Sequence, residues 1–539
     1  MKNLRTRYIL GILCLSIMLG GCNKETTFFS EPYGEGKPPL GITFDPAQVP
    51  SPNVGDIGSI IKLKANGLNE YLDKAVFKFN GQEAEIVRVN GDEVEVKVPP
   101  YASTGVTSIT VDDVIIFGPE FTVNGKVRID PTWEAIAGAN GSVNGRLLTN
   151  DGKVIYVGNF TDYNRRGLVR PINRIARTFS NGIYDVSFRT GQGANGSLNS
   201  IVHIGNHYYL SGGFSAFGQK RDNISNITRI HLHGDVDTVG VHPFRRPDQS
   251  DTLKYVPAFN GGFNSAISHL YPQENKLIAT GNFRYYVSRR YDQPNRLETR
   301  DSVILDSVEI RHVARLNLDG TLDKTFRFNG DIPFAGGNGD IGTLLHESGP
   351  HQGKILVHGW FNRFDGKEVG YVTRLNANGT IDETFNPGGS GADLYITNMT
   401  YNAVTNKYVA VGSFRTYNGK PAMRLALLND DGTLDETFQA QTFLNGLPTY
   451  AKQLDDGLIA VAGTFLTYGN VTRNRFMILN PDGNLADPLL NATGQLLGGV
   501  NQIIETRSED NKRALLFFGW NLSKFDNKDV SNIFRVIIE

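Results

Sequence analysis

The chain has 539 residues, with 54 Lys+Arg against 55 Asp+Glu. That balance excludes counterion-driven binding to nucleic acid, which needs a basic surplus. A hydrophobic content of 40 % is enough for folded cores and too little for a multispanning membrane protein, and two cysteines exclude a disulfide framework.

Residues 1–21 read as a targeting segment. Lys2, Arg5 and Arg7 form a basic start, and Ile9 to Leu19 form an apolar run too short to span a bilayer comfortably. The run Leu19-Gly20-Gly21-Cys22 resembles the lipobox of bacterial lipoprotein signal peptides. The resemblance implies cleavage before Cys22, diacylation of its thiol and membrane attachment through the lipid, since two or more acyl chains anchor stably. Cys14 leaves with the signal and Cys22 carries the lipid, so no free thiol remains for redox, metal or nucleophilic work. Asn23, not Asp, follows the cysteine, so outer-membrane delivery is expected, with cell-surface exposure favoured and a periplasm-facing orientation left open. Residues 22–40, with Ser30, Pro32, Gly34, Gly36, Pro38 and Pro39, read as a lipidated tether.

Residues 41–124 show short alternating strands: Ile60 to Lys64, Ala75 to Phe79 and Val94 to Val98. Asn80-Gly81 and Asn90-Gly91 are strong hairpin signals between them. The pattern predicts a small β-sandwich. The runs Phe77 to Ala84 and Val96 to Pro100, followed by Gly105 and Val106, resemble an IPT/TIG domain, which implies an immunoglobulin-like fold without a disulfide.

Residues 125–539 repeat. One mark is Gly-x-Phe at the end of an apolar strand: Gly158-Asn159-Phe160, Gly212-Gly213-Phe214, Gly281-Asn282-Phe283, Gly359-Trp360-Phe361, Gly412-Ser413-Phe414 and Gly463-Thr464-Phe465, with a degenerate copy at Gly519 to Leu522. An aromatic follows three positions later: Tyr163, Phe217, Tyr286, Phe364, Tyr417, Tyr468 and, after the longer copy, Phe525. A second mark runs from Arg315 to Phe326 (Arg-Leu-Asn-Leu-Asp-Gly-Thr-Leu-Asp-Lys-Thr-Phe) and recurs at 374–385 and, less the Arg, at 427–438, with looser copies at 177–188 and 478–487. Each unit is expected to hold four short strands, with Asn-x-Asp-Gly as the turn of the last hairpin. Seven units of about 59 residues suit four-stranded propeller blades. Residues 125–133 supply the second half of the hairpin mark without the first, and Ile533 to Ile538 the reverse. The two ends are therefore expected to complete one blade and close the ring. The marks resemble the delta-60 β-propeller repeat. The fold class expected is all-β: an IPT/TIG sandwich followed by a seven-bladed propeller closed by a strand from residues about 125–133.

No catalytic residue, cofactor or metal site is expected. The Asn-x-Asp-Gly turns lack the ligand count of a calcium loop. His231 and His233 share one strand face, but no third ligand stands nearby in sequence. Trp133, Trp360 and Trp520 fall at repeat-mark positions and are expected in inter-blade cores. The clearest binding candidates are two long connections placed on one rim. One, about 239–264, carries Arg245, Arg246 and Tyr255; the other, 284 to about 309, carries Tyr285, Arg289, Arg290 and Tyr291. Tyr and Arg suit sugar stacking and contacts to carboxylate or sulfate. The lipobox, the IPT/TIG-like domain and the propeller together resemble surface lipoproteins of glycan-foraging Gram-negative bacteria. That implies a non-enzymatic, outer-membrane-anchored glycan-binding accessory protein of a carbohydrate-uptake system. An adhesion or structural subunit with an outer-membrane protein partner is the alternative, and a propeller glycoside hydrolase or lyase a third reading.

Overall fold

The structure is a computed structural model that describes residues 40–45, 47–220, 223–244, 250–293 and 304–539. The signal segment, Cys22 and nearly all of the tether lie outside these residues, as do Arg245 and Arg246. Among the described residues the chain is almost wholly β-structure: two 3-10 turns, Leu68–Tyr71 and Pro488–Asn491, are its helical pieces. No helix there is long and apolar enough to cross a membrane.

In the N-terminal part, alternation decides which residues face inward. Ile61 and Leu63 are buried in Ile60–Lys64 while their neighbours are exposed, and Val94 and Val96 are buried in Glu93–Lys97. One sheet runs in the order Val54–Gly55, Val114–Val123, Gly105–Val111, Ala75–Phe79, Gln82–Ala84; a second runs Ile60–Lys64, Glu93–Lys97, Ile86–Asn90. Both contribute to one core that includes Ile61, Leu63, Phe77, Phe79, Val96, Ile109 and Phe121. Asn80-Gly81 makes its expected turn, with φ of 45° and 87°. At the second hairpin Asn90 stays in its strand opposite Glu93, and the turn moves on to Gly91-Asp92.

The rest of the chain forms a β-propeller. Its repeat sheets begin with Val143–Leu148, Val154–Gly158 and Ile175–Thr178. The second is Ser197–Ile204, His207–Gly213, Ile227–His231, and the third His269–Gln273, Lys276–Thr280, Val313–Asn317. The fourth is Ile341–Leu345, Ile355–Gly359, Val372–Leu375, and the fifth Ile396–Asn402, Lys407–Gly412, Leu425–Asn429. The sixth is Pro448–Gln453, Ile459–Gly463, Phe476–Leu479, and the seventh Leu496–Arg507, Arg513–Phe525, Ile533–Ile538, with Val127–Ile129 on its outer edge.

The middle strand of each sheet is apolar on both faces because it is covered on both sides. Ile278 packs toward the fourth sheet beside Ile355 and Val357, while Leu277 and Ala279 pack toward the second beside Val202 and Tyr209. Each hydrophobic cluster joins two neighbouring sheets in this way. Leu516 and Phe518 of the last sheet share a cluster with Val154 and Tyr156 of the first.

In the first six units the expected fourth strand is reduced to a single bridge, such as Leu316↔Leu322 and Leu375↔Ile381, and in the seventh it is Val127–Ile129. In most units an Asp follows and ends the pairing. Asp323 Oδ1 accepts hydrogen bonds from Thr325 N (2.9 Å) and Thr325 Oγ1 (2.6 Å), which turns the chain out of the ladder at once. Gly320 occupies the turn at φ 96°, as expected for the position that needs a left-handed backbone. The two repeat marks are also joined to each other. Tyr286 Oη donates to Gly320 O at 2.9 Å, Tyr417 Oη to Gly432 O at 2.8 Å and Tyr468 Oη to Gly483 O at 2.6 Å.

Candidate functional site

Five of the repeat sheets carry a β-bulge near the start of the first strand. The extra residues are Asn144, Asn199, Thr397, Thr449 and Asn501. A bulge re-aims a side chain away from the ladder, and here it aims amides across to the next sheet. Asn501 Nδ2 donates to Val143 O (2.9 Å), Asn144 Nδ2 to Leu198 O (3.0 Å) and Asn199 Nδ2 to Ile267 O (2.9 Å). These amides border a cavity of about 380 Å3, to which the first strand of every repeat sheet contributes: Asn144, Asn199, His269, Thr343, Asn398, Tyr450 and Asn501.

Arg146 also lines this cavity, and among the described residues it has no ion pair. Burial pushes its guanidinium below the ordinary value. His269 faces the cavity but is ringed by protein, and burial pushes its imidazole down to about 4; the same cause brings buried His358, also on the lining, to about 4. Both rings are therefore neutral at physiological pH, and the lining's charge there is the single cation of Arg146.

An aromatic pair stands at the ends of strands that contribute to the lining. Trp360 follows Gly359, which is paired with Ile341 next to the lining residue Gly342. Its ring stacks on Tyr395, centroids 3.8 Å apart and planes 12° from parallel, and it is 60 % exposed. Tyr395 directly precedes the first strand of the fifth sheet. Trp520 pairs with Gly499 at the same end of the seventh sheet and is 52 % exposed. Its indole lies over the glycine so closely that a Cβ on Gly499 would come within 2.2 Å of the ring. The core placement expected for Trp360 and Trp520 is thus corrected; only Trp133, at 8 %, is buried. The signal was present in the repeat. The middle position of Gly-x-Phe is otherwise Asn159, Gly213, Asn282, Ser413 or Thr464, small or polar residues suited to a solvent-facing position.

The described rim residues lie on or beside two inserted hairpins. The segment read as a long loop is largely a hairpin, Tyr285–Arg290 paired with Ile304–Glu309, extended by Gly262–Phe263. The run Tyr285-Tyr286-Val287 favours a strand over a loop. The earlier insert forms a second hairpin, Thr238–Val241 with Lys254–Pro257. The two meet: Phe244 N donates to Tyr291 O (2.7 Å), and Asn260 Nδ2 to Arg289 O (2.9 Å). Arg289 Nη2 donates to Ser225 Oγ at 2.9 Å, and Arg290 pairs with Asp306 at 2.8 Å. Tyr255 is 58 % exposed and Tyr285 half-buried, with Arg284 over its ring at 5.4 Å. A wider cleft of about 570 Å3, lined by Arg166, Arg170 and Arg189 with Tyr184 and Phe188, lies between the first two sheets. Its buried aromatic, Phe188, serves the inter-sheet core.

Away from the cavity the repeats share a charged node. Asp323 Oδ2 meets Lys276 Nζ at 2.5 Å and Arg315 Nε at 2.7 Å; Asp382 meets Lys354 at 2.8 Å and Arg374 at 2.7 Å. Asp185 meets Lys153 and Arg177 in the same way. Burial pushes these carboxyls up, but the hydrogen bonds from lysine, threonine or serine and arginine outweigh it and hold them well below the usual range.

The family described as a domain of unknown function (DUF5122) β-propeller matches residues 306–326, 353–385, 405–438 and 454–485, which fall in the third to sixth repeat sheets. Comparison with curated proteins returned no match. Among solved structures, the WD40 β-propeller domain of Doa1 is 10 % identical with a TM-score of 0.38, over 76 % of this chain and 96 % of that one. An auxiliary nutrient binding protein from Bacteroides thetaiotaomicron is 13 % identical with a TM-score of 0.30, over 92 % and 98 %. Sqt1 of Saccharomyces cerevisiae is 11 % identical with a TM-score of 0.35, over 74 % and 96 %. The repeat sheets and the family match together identify the C-terminal part of the chain as a β-propeller.

Proposed function

We propose that this chain is a lipid-anchored, non-enzymatic surface protein that binds a glycan at the axial mouth of a closed seven-bladed propeller. Closure is supported by the core shared between the last and first sheets, by the pairing of Val127–Ile129 with Ile533–Ile538, and by one cavity bordered by the first strand of every repeat sheet. In this reading the N-terminal sheets form an IPT/TIG-type immunoglobulin-like spacer, the lipid sits on Cys22, and the chain serves a carbohydrate-uptake system of the outer membrane, on its cell-surface side.

The observation that carries the ligand reading is the exposed Trp360–Tyr395 stack beside an amide-lined cavity. Flat aromatic faces cover the C–H faces of a sugar ring, and convergent amides satisfy its hydroxyls. The unpaired Arg146 adds preference for a carboxylated or sulfated residue. A binding role, as opposed to hydrolysis, is supported by the chemistry of the lining: amides, hydroxyls, imidazoles and one guanidinium. The rim of Tyr255, Tyr285, Arg289, Arg290 and Tyr291 flanks this reading, with Arg289 and Arg290 already engaged in holding the inserts.

The test is a glycan array followed by isothermal titration of the mature protein. Wild type is expected to bind neutral and acidic sugars, with Trp360→Ala weakening affinity by roughly tenfold or more, as for a buried aromatic anchor. Binding left unchanged by Trp360→Ala, or an array with no glycan retained, would overturn the proposal.

A further inference from the structure

The charged node described above varies among the units: the fifth has Leu427 at the arginine position, the sixth has Leu458, Ile478 and Ala486 in place of all three charged groups, the seventh has Ala514 at the lysine position, and the second brings in histidines. In the second repeat sheet the lysine position is taken by His207, the asparagine of the turn (Asn317, Asn376, Asn429 and Asn480 elsewhere) by His231, its acidic or amide residue (Asp319, Asn378, Asp431, Asp482) by His233, and the threonine or serine after the Asp by Val239. Three of the four changes fall around one carboxylate, Asp237; the fourth, His233, stands beside Asp235. We propose that this unit holds a divalent transition-metal ion between His207 Nε2, His231 Nε2 and Asp237, with zinc as the best-suited ion.

The geometry carries the assignment. His207 Nε2 stands 3.4 Å from Asp237 Oδ2, and His231 Nε2 stands 3.5 Å from Oδ1. The three ligand atoms lie within 4.8 Å of one another. Ligands at zinc-to-nitrogen and zinc-to-oxygen lengths of about 2.0–2.1 Å in a tetrahedron stand roughly 3.4 Å apart; each imidazole already stands at about that distance from one carboxylate oxygen, His207 from Oδ2 and His231 from Oδ1, and small side-chain rotations bring the three ligand atoms around one centre. The carboxylate is presented for this task. Arg229 holds Oδ2 at 2.5 Å and so orients the group from behind. Oδ1 is the oxygen that accepts from the threonine or serine hydroxyl in the other units (Ser187, Thr325, Thr384, Thr437). Val239 removes that donor, and among the described residues Oδ1 faces His231 instead.

The alternative reading is that histidine merely replaces lysine in the ion pair. It accounts for His207 but not for the second imidazole on Oδ1 or the loss of the hydroxyl. His233 stacks on His231 with ring centroids 5.3 Å apart and planes 5° from parallel, and its own Nε2 stands 3.3 Å from Asp235. Borderline-soft ions suit this nitrogen-rich set, whereas calcium and magnesium need more oxygens.

The test uses the mature chain without a histidine tag, stripped with a chelator and titrated with zinc chloride; cobalt(II) absorption reports the coordination geometry. One equivalent of zinc is expected per chain. His207→Lys and His231→Asn restore the residues of the other units, so the fold and its Tm should hold while zinc affinity falls by about tenfold or more for each. Wild type that takes up no zinc, or a double variant that binds as wild type does, overturns the proposal. Sugar binding is read separately, so failure here leaves the glycan reading untouched, and the reverse.

Discussion

The repeat node shows how single residues set the acid limit of this protein. The carboxyls of Asp185, Asp323 and Asp382 are held well below the usual range by the cations and hydroxyls around them, whereas in the unfolded chain they titrate near 3.9. Their contribution to stability is therefore complete above about pH 4 and is lost as pH falls below it. A different group acts at milder acidity. Tyr408 Oη, which accepts from Arg374 Nη1 at 3.1 Å, lies 2.7 Å from His346 Nε2. Burial, then Arg374, His351 and Lys354, pushes His346 down to about 3. The unfolded chain binds that proton from about pH 6.5 downward while the native state does not. Stability should thus decline already between pH 6.5 and 4, and more steeply below. Denaturant titrations at several pH values check this, with His346→Gln expected to remove its share of the upper decline, to which buried His358 and His269 also contribute. Asp382→Ala leaves the buried Arg374 without its carboxylate, and a loss of about 3–5 kcal/mol is expected at pH 7.

At the scale of elements, hydrophobic periodicity and turn chemistry explain most of what is observed. The apolar middle strands, the buried Phe of each Gly-x-Phe and the Asn-x-Asp-Gly turns follow from local pattern, and the inserts were recognisable from their length. Their internal order was not, because strand pairing between segments separated by a long connection depends on contacts that no local window contains. Tyr285–Arg290 is a middle strand, bonded on one side to Ile304–Glu309 and on the other to Gly262–Phe263. The hairpin and the axial mouth are separate elements, and their roles can be separated. Tyr285→Ala and Arg289→Ala are expected to leave sugar affinity within about twofold, the effect of substitutions outside a contact, where Trp360→Ala does not. Calorimetry on the three variants decides between mouth and rim: loss of binding in the rim variants alone would move the site to the inserts.

At the scale of the whole molecule, the outer edge of the last sheet is supplied from residues 127–129, and a buried ion pair secures the join. Arg535 Nε bonds Asp130 Oδ2, both groups nearly inaccessible to solvent, while the guanidinium lies over Trp133 at 5.1 Å. Arg535→Ala strands a carboxylate in this core, and a loss of about 3–5 kcal/mol is expected. Hydrogen exchange should localise the loosening to Val127–Ile129 and Ile533–Ile538; unaltered protection there would contradict the closure we propose. The N-terminal part is tied to the propeller at a second point. Thr104 N donates to Ala492 O at 2.9 Å, Ala492 enters the N-terminal core, and Arg473, buried and pushed down to about 10 by that burial, donates to Tyr101 O and Asn491 O.

The sequence by itself determined the all-β class, the repeat and its turn positions, because alternation of apolar residues and the backbone demands of Asn-x-Asp-Gly are local properties of the chain. Only the tertiary structure decided which residues meet: the bulged asparagines around one cavity, the exposed Trp360 on Tyr395, and His207 and Asp237 beside His231. The asparagines and the Trp360–Tyr395 pair are brought together by neighbouring sheets, and the histidines by strand pairing within the second sheet, in each case between segments well separated along the chain. A residue's spacing along the chain fixes the face it presents, but not what stands opposite that face.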